Sequence, residues 1–228
     1  MVPKIDILTL FPEMFEGFLN SSIIKRAIDS HLVEISVHNF REYSNDRHKK
    51  VDDYPYGGGA GMVLMCEPIY NAIEHLKRDD TKVVMLTPSG VTFNQKMAIN
   101  FSKYAHIILL CGHYEGFDER IKSFVDMEVS IGDYVLTGGE VPAMAIVDAV
   151  TRLIPGVIST ESLVNESFND DMVDYPNYTR PEVFMGMKVP DVLLSGHHKN
   201  ISLYREKERI RLTKEVNDKK SGGTGNEE

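Results

Sequence analysis

The sequence predicts an α/β protein, with a mostly parallel sheet covered by helices on both faces and a small helical domain at the C-terminus. Two observations support this fold class. Through the first 150 residues, short β-branched runs alternate with helix-like stretches, which is typical of a parallel sheet. Beyond residue 158 the alternation stops. A chain of 228 residues is long enough to bury a substantial core.

The predicted strands and helices alternate in order. The strands are short apolar runs, at Lys4–Leu10, Glu34–Asn39, Lys82–Thr87, His106–Cys111 and Met127–Ile131. The helices lie between them, at Glu13–Ile28, Pro68–Leu76, Asn94–Phe101 and Val141–Leu153. In the first helix, Phe15, Phe18, Leu19, Ile23 and Ile24 recur near helical spacing.

The chain therefore divides into a main domain, residues 1–158, and smaller segments after it. Residues 159–174 are polar, acidic and aperiodic, which indicates a flexible linker. Residues 175–218 form the predicted helical domain, which ends in the helix Lys199–Val216. Residues 219–228 are a Gly, Ser and charged tail that is not expected to fold.

Composition favours a cytosolic protein. The net charge of −9 argues against a strongly basic nucleic-acid coat, although local basic patches act within about 8–10 Å. Two isolated cysteines, Cys66 and Cys111, indicate a reducing compartment, and no metal-ligand spacing is present. The first apolar run contains Asp6, and nothing resembles a secretory segment or a membrane span.

Two basic clusters leave two interpretations open. One comprises Arg41, Arg47, His48, Lys49 and Lys50, and the other comprises Arg205, Lys207, Arg209, Arg211 and Lys214. Such runs usually mark a solvated face. Beside His197, His198 and Lys199, the second cluster equally suits contact with backbone phosphates. The adjacent histidines show no metal-ligand spacing.

Glycine-bearing loops follow three successive strands. These loops are Thr87–Gly90, Gly112–Gly116 and Gly132–Gly139. Ligands of parallel sheets collect where loops leave the carboxyl ends of the strands, so together the loops can surround a flat heterocycle. The segment Gly57–Gly61 matches neither a P-loop nor a dinucleotide motif. A structural turn is favoured there over a backbone that something approaches closely.

Ordered motifs along the chain resemble one family. They are Asp6–Phe15, Val51–Gly59, Cys111–Arg120, Ser130–Glu140, Tyr178–Glu182 and Leu193–His198. Together they closely resemble the bacterial tRNA (guanine-N1)-methyltransferases of the knotted SPOUT superfamily, from about Lys4 to Thr213. The resemblance implies methylation of the guanine immediately 3′ of the anticodon, position 37, in tRNA and not in DNA. It also implies an obligate homodimer with active sites at the subunit interface and no association with membranes.

The same resemblance implies S-adenosylmethionine held in a bent shape by a deep trefoil knot, with Mg²⁺ as a possible helper. The residues it assigns to the cofactor come from all three loops and the helix that follows them. They are Leu86, Thr87, Pro88, Gly112, Tyr114, Glu115, Ser130, Ile131, Gly132, Asp133, Tyr134, Val135, Leu136, Gly138, Gly139 and Pro142. The helical C-terminal domain would help to hold the tRNA.

The chemistry demands a base and a cation. Guanine N1 carries a proton, and its removal pushes negative charge onto O6, so a carboxylate near N1 and a cation near O6 are required. By alignment with the family, Glu166 and Arg152 fill these roles. The family usually has aspartate at the position of Glu166, so Asp170 or Asp171 is the alternative base, and His113 stands where arginine is common.

Two other functions remain open from the residues. One is a non-catalytic RNA-binding module that retains the fold, and the other is a related knotted methyltransferase with another RNA target atom. Cofactor binding without turnover would indicate the first. Mapping of the methylated atom would separate the second.

Overall fold

A computed structural model of the chain describes residues 2–159 and 172–222. The chain forms two compact units, Met1–Thr160 and Glu161–Glu228. The assignment of residues 159–174 to a flexible linker stays a prediction, because most of that segment lies outside the described residues. Within the described ranges, no helix combines the length and the apolar character needed to cross a bilayer.

The first unit is built on a five-stranded parallel sheet. The strands of this unit are β1 Lys4–Thr9, β2 Glu34–Asn39, β3 Asp52–Asp53, β4 Val63–Leu64, β5 Thr81–Thr92, β6 His106–Cys111 and β7 Met127–Ser130. The sheet order is β2-β1-β6-β5-β7, and every neighbouring pair in it is parallel. The short strands β3 and β4 form a separate antiparallel pair. The predicted parallel sheet is confirmed.

Helices cover both faces of this sheet. They are α1 Glu16–Leu19, α2 Ser22–Asp29, α3 Cys66–Leu76, α4 Gln95–Phe101 and α5 Glu140–Thr151. Strand residues alternate between the faces, so that Ile5 and Ile7 pack with α2, α4 and α5, whereas Leu8 packs with α3. Burial of both faces explains why the sheet strands read as almost continuous apolar runs.

The predicted helix Glu13–Ile28 is wrong as a single element. It consists of the 3₁₀ turn Pro12–Phe15, then α1, then α2. At the break, Asn20 Nδ2 donates to the Glu16 carbonyl and Ser21 Oγ donates to the Gly17 carbonyl. Short polar side chains that bond to the backbone in this way compete with helix continuation, which ends α1.

Strand β5 is longer than predicted. The sequence places a loop at Thr87–Gly90, but the strand continues to Thr92 with a shift in register, since Leu86 and Val91 both pair with Val129. Residues 87–90 therefore bulge from the ladder. A Cβ on Gly90 would lie 2.5 Å from the Glu128 carbonyl carbon, so only glycine allows this close approach of two backbones.

The second unit contains a short hairpin and two helices. These are β8 Val183–Phe184, β9 Met187–Lys188, α6 Asp191–Leu194 and α7 His198–Gly222. Helix α7 extends beyond the predicted end at Val216 and includes the first four residues of the predicted tail. Lysine favours helix, and adding a residue to an existing helix costs far less than nucleating one, which explains the extension.

Candidate active site

The three glycine-bearing segments line one cleft of about 380 Å³ at the edge of the sheet where the strands end, here called the carboxyl edge. Most residues predicted to contact the cofactor line it. They are Leu86, Thr87, Pro88, Gly112, Tyr114, Glu115, Ser130, Ile131, Gly132, Tyr134, Val135, Leu136, Gly138, Gly139 and Pro142. Asp133 is exposed and does not line this cleft. The cleft is the point where the three predicted segments converge.

Main-chain contacts join two of these segments. The Gly139 N–H donates to the Gly112 carbonyl at 2.9 Å, and His113 forms an antiparallel bridge with Gly138. A Cβ on Gly139 would lie 2.6 Å from the Cα of Cys111 and 2.8 Å from the Gly112 nitrogen. Because both obstacles are backbone atoms, no side-chain rearrangement could relieve the overlap.

The turn after β7 is held by Ser130. Its hydroxyl donates to the Gly132 carbonyl at 3.0 Å and accepts from the Gly132 N–H at 3.2 Å. Gly132 has a φ of 151°, which favours glycine. Beyond this turn, Val135 is 87% exposed and Tyr134 is 53% exposed, so apolar surface stands open at the rim of the cleft.

The segment Gly57–Gly61 combines both interpretations left open by the sequence. Gly57 and Gly58 have φ values of 88° and 80° with open space around them, as expected for a turn. Gly61 is different, because a Cβ there would lie 2.5 Å from Oε1 of Glu115. The Glu115 N–H also donates to the Met62 carbonyl. The segment therefore supports the cleft loop at Gly112–Gly116.

Tyr114 connects the cleft to the first basic cluster. It has a φ of 59°, which is uncommon for a residue with a side chain. Burial and the neighbouring Asp52 raise the pKa of Tyr114, while Arg41 opposes this effect. Arg41 in turn donates to the Lys49 carbonyl, and Lys50 pairs with Asp53 at 2.8 Å. The basic segment thus lies beside the cleft wall.

Some lining residues lie outside the predicted loops, and the sequence analysis did not place them at the site. They are Met85, Phe117, Asp118, Glu119, Lys122 and Val129. Asp118 accepts two side-chain hydrogen bonds from Arg120, at 2.9 and 2.7 Å, and Arg120 holds the pKa of this carboxyl well below its usual range. Their signal was position alone, since Phe117 and Asp118 directly follow a predicted cleft loop.

A buried carboxylate behind the cleft was also missed. Glu140 is 1% exposed, and its Oε1 accepts a hydrogen bond from Thr9 Oγ1 at 2.6 Å. Its Oε2 lies 3.3 Å from Nε2 of His113, whose ring packs against Phe11 with a centroid distance of 4.7 Å. We call Thr9, His113 and Glu140 the Glu140 cluster. A charged residue directly after Gly138-Gly139 at a helix start was its signal.

Arg152, one of the two residues predicted to be catalytic, does not line this cleft. Arg152 follows the last residue of α5, whereas Glu140 begins that helix at the cleft, so about 18 Å of helix separates them. Glu166 and the alternatives Asp170 and Asp171 lie outside the described residues. Among the residues that are described, no three His, Cys, Asp or Glu side chains group as metal ligands.

The fold and the cleft define a class of protein, an α/β protein with a backbone-lined ligand site at the carboxyl edge of a parallel sheet. The chain belongs to the tRNA (guanine-1)-methyltransferase family, because the family model described as tRNA (guanine-1)-methyltransferase TrmD matches residues 3–219. This finding confirms the family that the sequence motifs suggested.

Curated relatives agree with this membership. The chain is 59% identical over 211 residues to a tRNA (guanine-N(1)-)-methyltransferase of Malacoplasma penetrans, a match that covers 92% of this chain and 93% of that protein. Proteins of the same name from Dictyoglomus turgidum and Halalkalibacterium halodurans are 57% and 55% identical. These matches cover 92% and 93% of this chain, and 86% and 88% of the two proteins.

Proposed function

We propose that the protein transfers a methyl group from S-adenosylmethionine to N1 of the guanine immediately 3′ of the anticodon, position 37, in tRNA. The observation that carries this proposal is the convergence of three loops on one cleft in a chain of the tRNA (guanine-1)-methyltransferase family. An enzyme with this substrate acts in the cytoplasm.

The cleft suits the methyl donor. Its volume of about 380 Å³ is within the usual range for small-ligand sites, and its lining combines apolar Leu86, Ile131 and Pro142 with main-chain groups. A heterocycle can stack on the apolar side chains while backbone N–H and C=O groups bind its edge. The bound sulfonium supplies an electrophilic methyl group, so the protein chiefly has to orient it.

The acceptor is the demanding partner. Guanine N1 becomes nucleophilic only when its proton is removed, and we assign that role to Glu166, with Arg152 stabilising the charge on O6. Asp170 and Asp171 are the alternative bases. Because Arg152 lies at the far end of α5 from the cleft of its own chain, the proposed site pairs the cleft of one copy with Arg152 of a second copy. A homodimer accounts for that arrangement.

A trefoil knot around the donor is part of the proposal. Its support is the family together with the close backbone approaches at Gly90 and Gly139, where one segment passes directly against another. The described residues offer no cluster of protein ligands for Mg²⁺, and we therefore derive no step through that ion.

We assign tRNA binding to the second unit, with residues 159–174 as a linker between the domains. The support is a cavity of about 520 Å³ lined by Tyr175, Tyr178, Arg180 and Arg205. The Arg205 guanidinium lies 4.7 Å from the centre of the Tyr175 ring. Aromatic rings stack on bases, and arginine pairs with phosphate. Unlike Arg205, Arg211 is paired with carboxylates of its own helix, because Glu208 and Glu215 each accept a hydrogen bond from it at 2.6 Å.

The test is to identify the modified nucleoside. We expect purified protein with S-adenosylmethionine and a tRNA bearing guanine 3′ of the anticodon to form 1-methylguanosine, measured by nuclease digestion and mass spectrometry. Glu166→Ala should reduce the rate about 10²–10⁴-fold, the usual contribution of a positioned base. Asp170→Asn and Asp171→Asn are its matched controls and should retain activity. No methyl incorporation by the wild type would refute the proposal, and a different methylated atom would redirect it.

A further inference from the structure

The Glu140 cluster lies at the junction of three elements that build the cleft. Thr9 ends β1, His113 belongs to the loop after β6, and Glu140 opens α5. Only His113 of the three lines the cleft, with a side chain that is 19% exposed. Thr9 and Glu140 are buried behind it, so neither can touch a bound ligand. Their influence on the cleft has to pass through His113 and the backbone around it.

The geometry around Glu140 restricts both cleft loops at once. One carboxylate oxygen accepts from Thr9 on the sheet, and the other faces the His113 imidazole. Gly138 crosses directly over this pair, because a Cβ there would overlap both Oε2 of Glu140 and Nε2 of His113. The carboxylate therefore fixes His113 beneath Gly138, and the main-chain bridge between these two residues joins the loops.

A charged group in this position is costly unless its hydrogen bonds are satisfied. A buried carboxylate loses its hydration, which only partners of good geometry offset. The start of α5 also favours negative charge through the helix dipole. The carboxylate is therefore held firmly, and losing one partner should displace the groups that depend on it by a fraction of an ångström.

From these contacts, and on the basis of the proposed function, we infer that Glu140 is a positioning residue, which sets the spacing of the two loops that hold the methyl donor through Thr9 and His113. The affinity for S-adenosylmethionine then depends on a threonine hydroxyl and a carboxylate that the donor never touches. A role in stability alone would lower the unfolding temperature and leave the donor affinity unchanged.

The experiment compares conservative changes at Thr9. Thr9→Val removes the hydroxyl at almost constant volume, and Thr9→Ser keeps it. We expect Thr9→Val to weaken binding of S-adenosylmethionine and S-adenosylhomocysteine about tenfold, measured by titration calorimetry, since a hydrogen bond to a buried charge is lost. The KM for the donor should rise by the same factor, while kcat at saturating donor stays within about twofold. Thr9→Ser should restore the affinity, and Glu140→Gln should weaken it.

The control is Thr81→Val, since Thr81 is also buried and its hydroxyl also has a buried side-chain partner, Nδ1 of His106 at 2.7 Å, but at the other end of the sheet. It should lower the unfolding temperature without changing the donor affinity. If Thr9→Val behaves like Thr81→Val, the role of Glu140 is purely structural and the inference is wrong. Should Glu140→Gln fail to fold, the Thr9 pair still decides the question. A wild type that binds no donor would instead remove the proposed function itself.

Discussion

The sheet carries a buried group of threonine, histidine and carboxylate at each of its two edges, and the pair invites comparison. Toward the amino edge, where the strands begin, the group consists of Asp6 with His106 and Thr81, and His38 reaches the same carboxylate from farther along β2. These four residues are here called the Asp6 cluster. At the carboxyl edge it is the Glu140 cluster. The chemistry is similar, but every member of the Asp6 cluster lies in a strand, whereas the Glu140 cluster joins a strand to a loop and a helix.

The contacts of the Asp6 cluster run across four adjacent strands. His38 on β2 and His106 on β6 each donate from Nε2 to the Asp6 carboxylate on β1 at 2.8 Å. Nδ1 of His106 lies 2.7 Å from the Thr81 hydroxyl on β5, and Lys4 pairs with Asp6 at 3.2 Å. Because these contacts link the side chains of four strands, this cluster stabilises the sheet. The Glu140 cluster instead stabilises the loops that line the cleft.

The largest effect on stability is expected when the carboxylate of the Asp6 cluster is removed. Asp6 is fully buried, so Asp6→Ala leaves two histidines and a lysine without their shared acceptor. We expect the free energy of unfolding to fall by about 3–5 kcal/mol, measured by urea unfolding. The control is Asp29→Ala, which breaks the exposed pair with Lys25 and should cost less than about 1 kcal/mol. Equal losses would contradict the proposed difference.

At the carboxyl edge the comparable test is a substitution that adds one methyl group where two backbone segments meet. Gly139→Ala places a Cβ against the main chain of Cys111 and Gly112, which forces the two cleft loops apart. Because a displacement of about 1 Å can cost about a hundredfold in catalysis, we expect a loss of that order in kcat/KM for the donor. Gly17→Ala is the matched control, since a Cβ on Gly17 meets nothing within 4 Å. Normal activity of Gly139→Ala would show that this contact does not shape the cleft.

The two edges also differ in how far the sequence could predict them. The cleft loops could be predicted from the sequence, because three glycine-bearing segments that follow successive strands must meet at one edge of a parallel sheet. The Asp6 cluster carries no such signal, and the Glu140 cluster has only the charged residue directly after Gly138-Gly139. Asp6 and His106 are 100 positions apart in the chain, and only the register of β1 and β6 brings them together. Thr9 and Glu140 are 131 positions apart, and only the packing of α5 against β1 does so.

Two further errors have local causes. The break between α1 and α2 depends on hydrogen bonds from Asn20 and Ser21 that a hydrophobic pattern does not include. The bulge in β5 depends on the backbone of a neighbouring strand at Gly90. The catalytic role of Arg152 came from resemblance alone, although the predicted helix Val141–Leu153 already placed this residue at the far end of α5.

The contribution of Asp6 to stability should also depend on pH. Burial raises the pKa of Asp6, but hydrogen bonds from His38 and His106 and the charge of Lys4 outweigh it, so the net pKa is below its ordinary value of 3.8. A carboxyl with a depressed folded-state pKa stabilises the fold above its unfolded pKa and loses that contribution as pH falls.

The stability gap between wild type and Asp6→Asn should therefore shrink as the pH falls below about 4. Urea unfolding at several pH values measures this gap directly. A gap that stays unchanged at acid pH would show that Asp6 has the same pKa in the folded and unfolded states.

The smallest expected effect is the coupling between the two edges. Thr9→Val and Thr81→Val each remove one buried hydroxyl and should each lower the free energy of unfolding by about 1–2 kcal/mol. The two clusters share no residue, and they lie on opposite faces of the sheet. Thr9 bonds to Glu140 of α5 on one face, and because side chains alternate along β1, Asp6 lies on the other face. The double variant should therefore lose the sum of the single losses within about 0.5 kcal/mol, and its donor affinity should equal that of Thr9→Val alone. A larger coupling energy, or a further loss of affinity in the double variant, would mean that the sheet transmits strain from its amino edge to the cleft, and the separation of bracing from positioning would then fail.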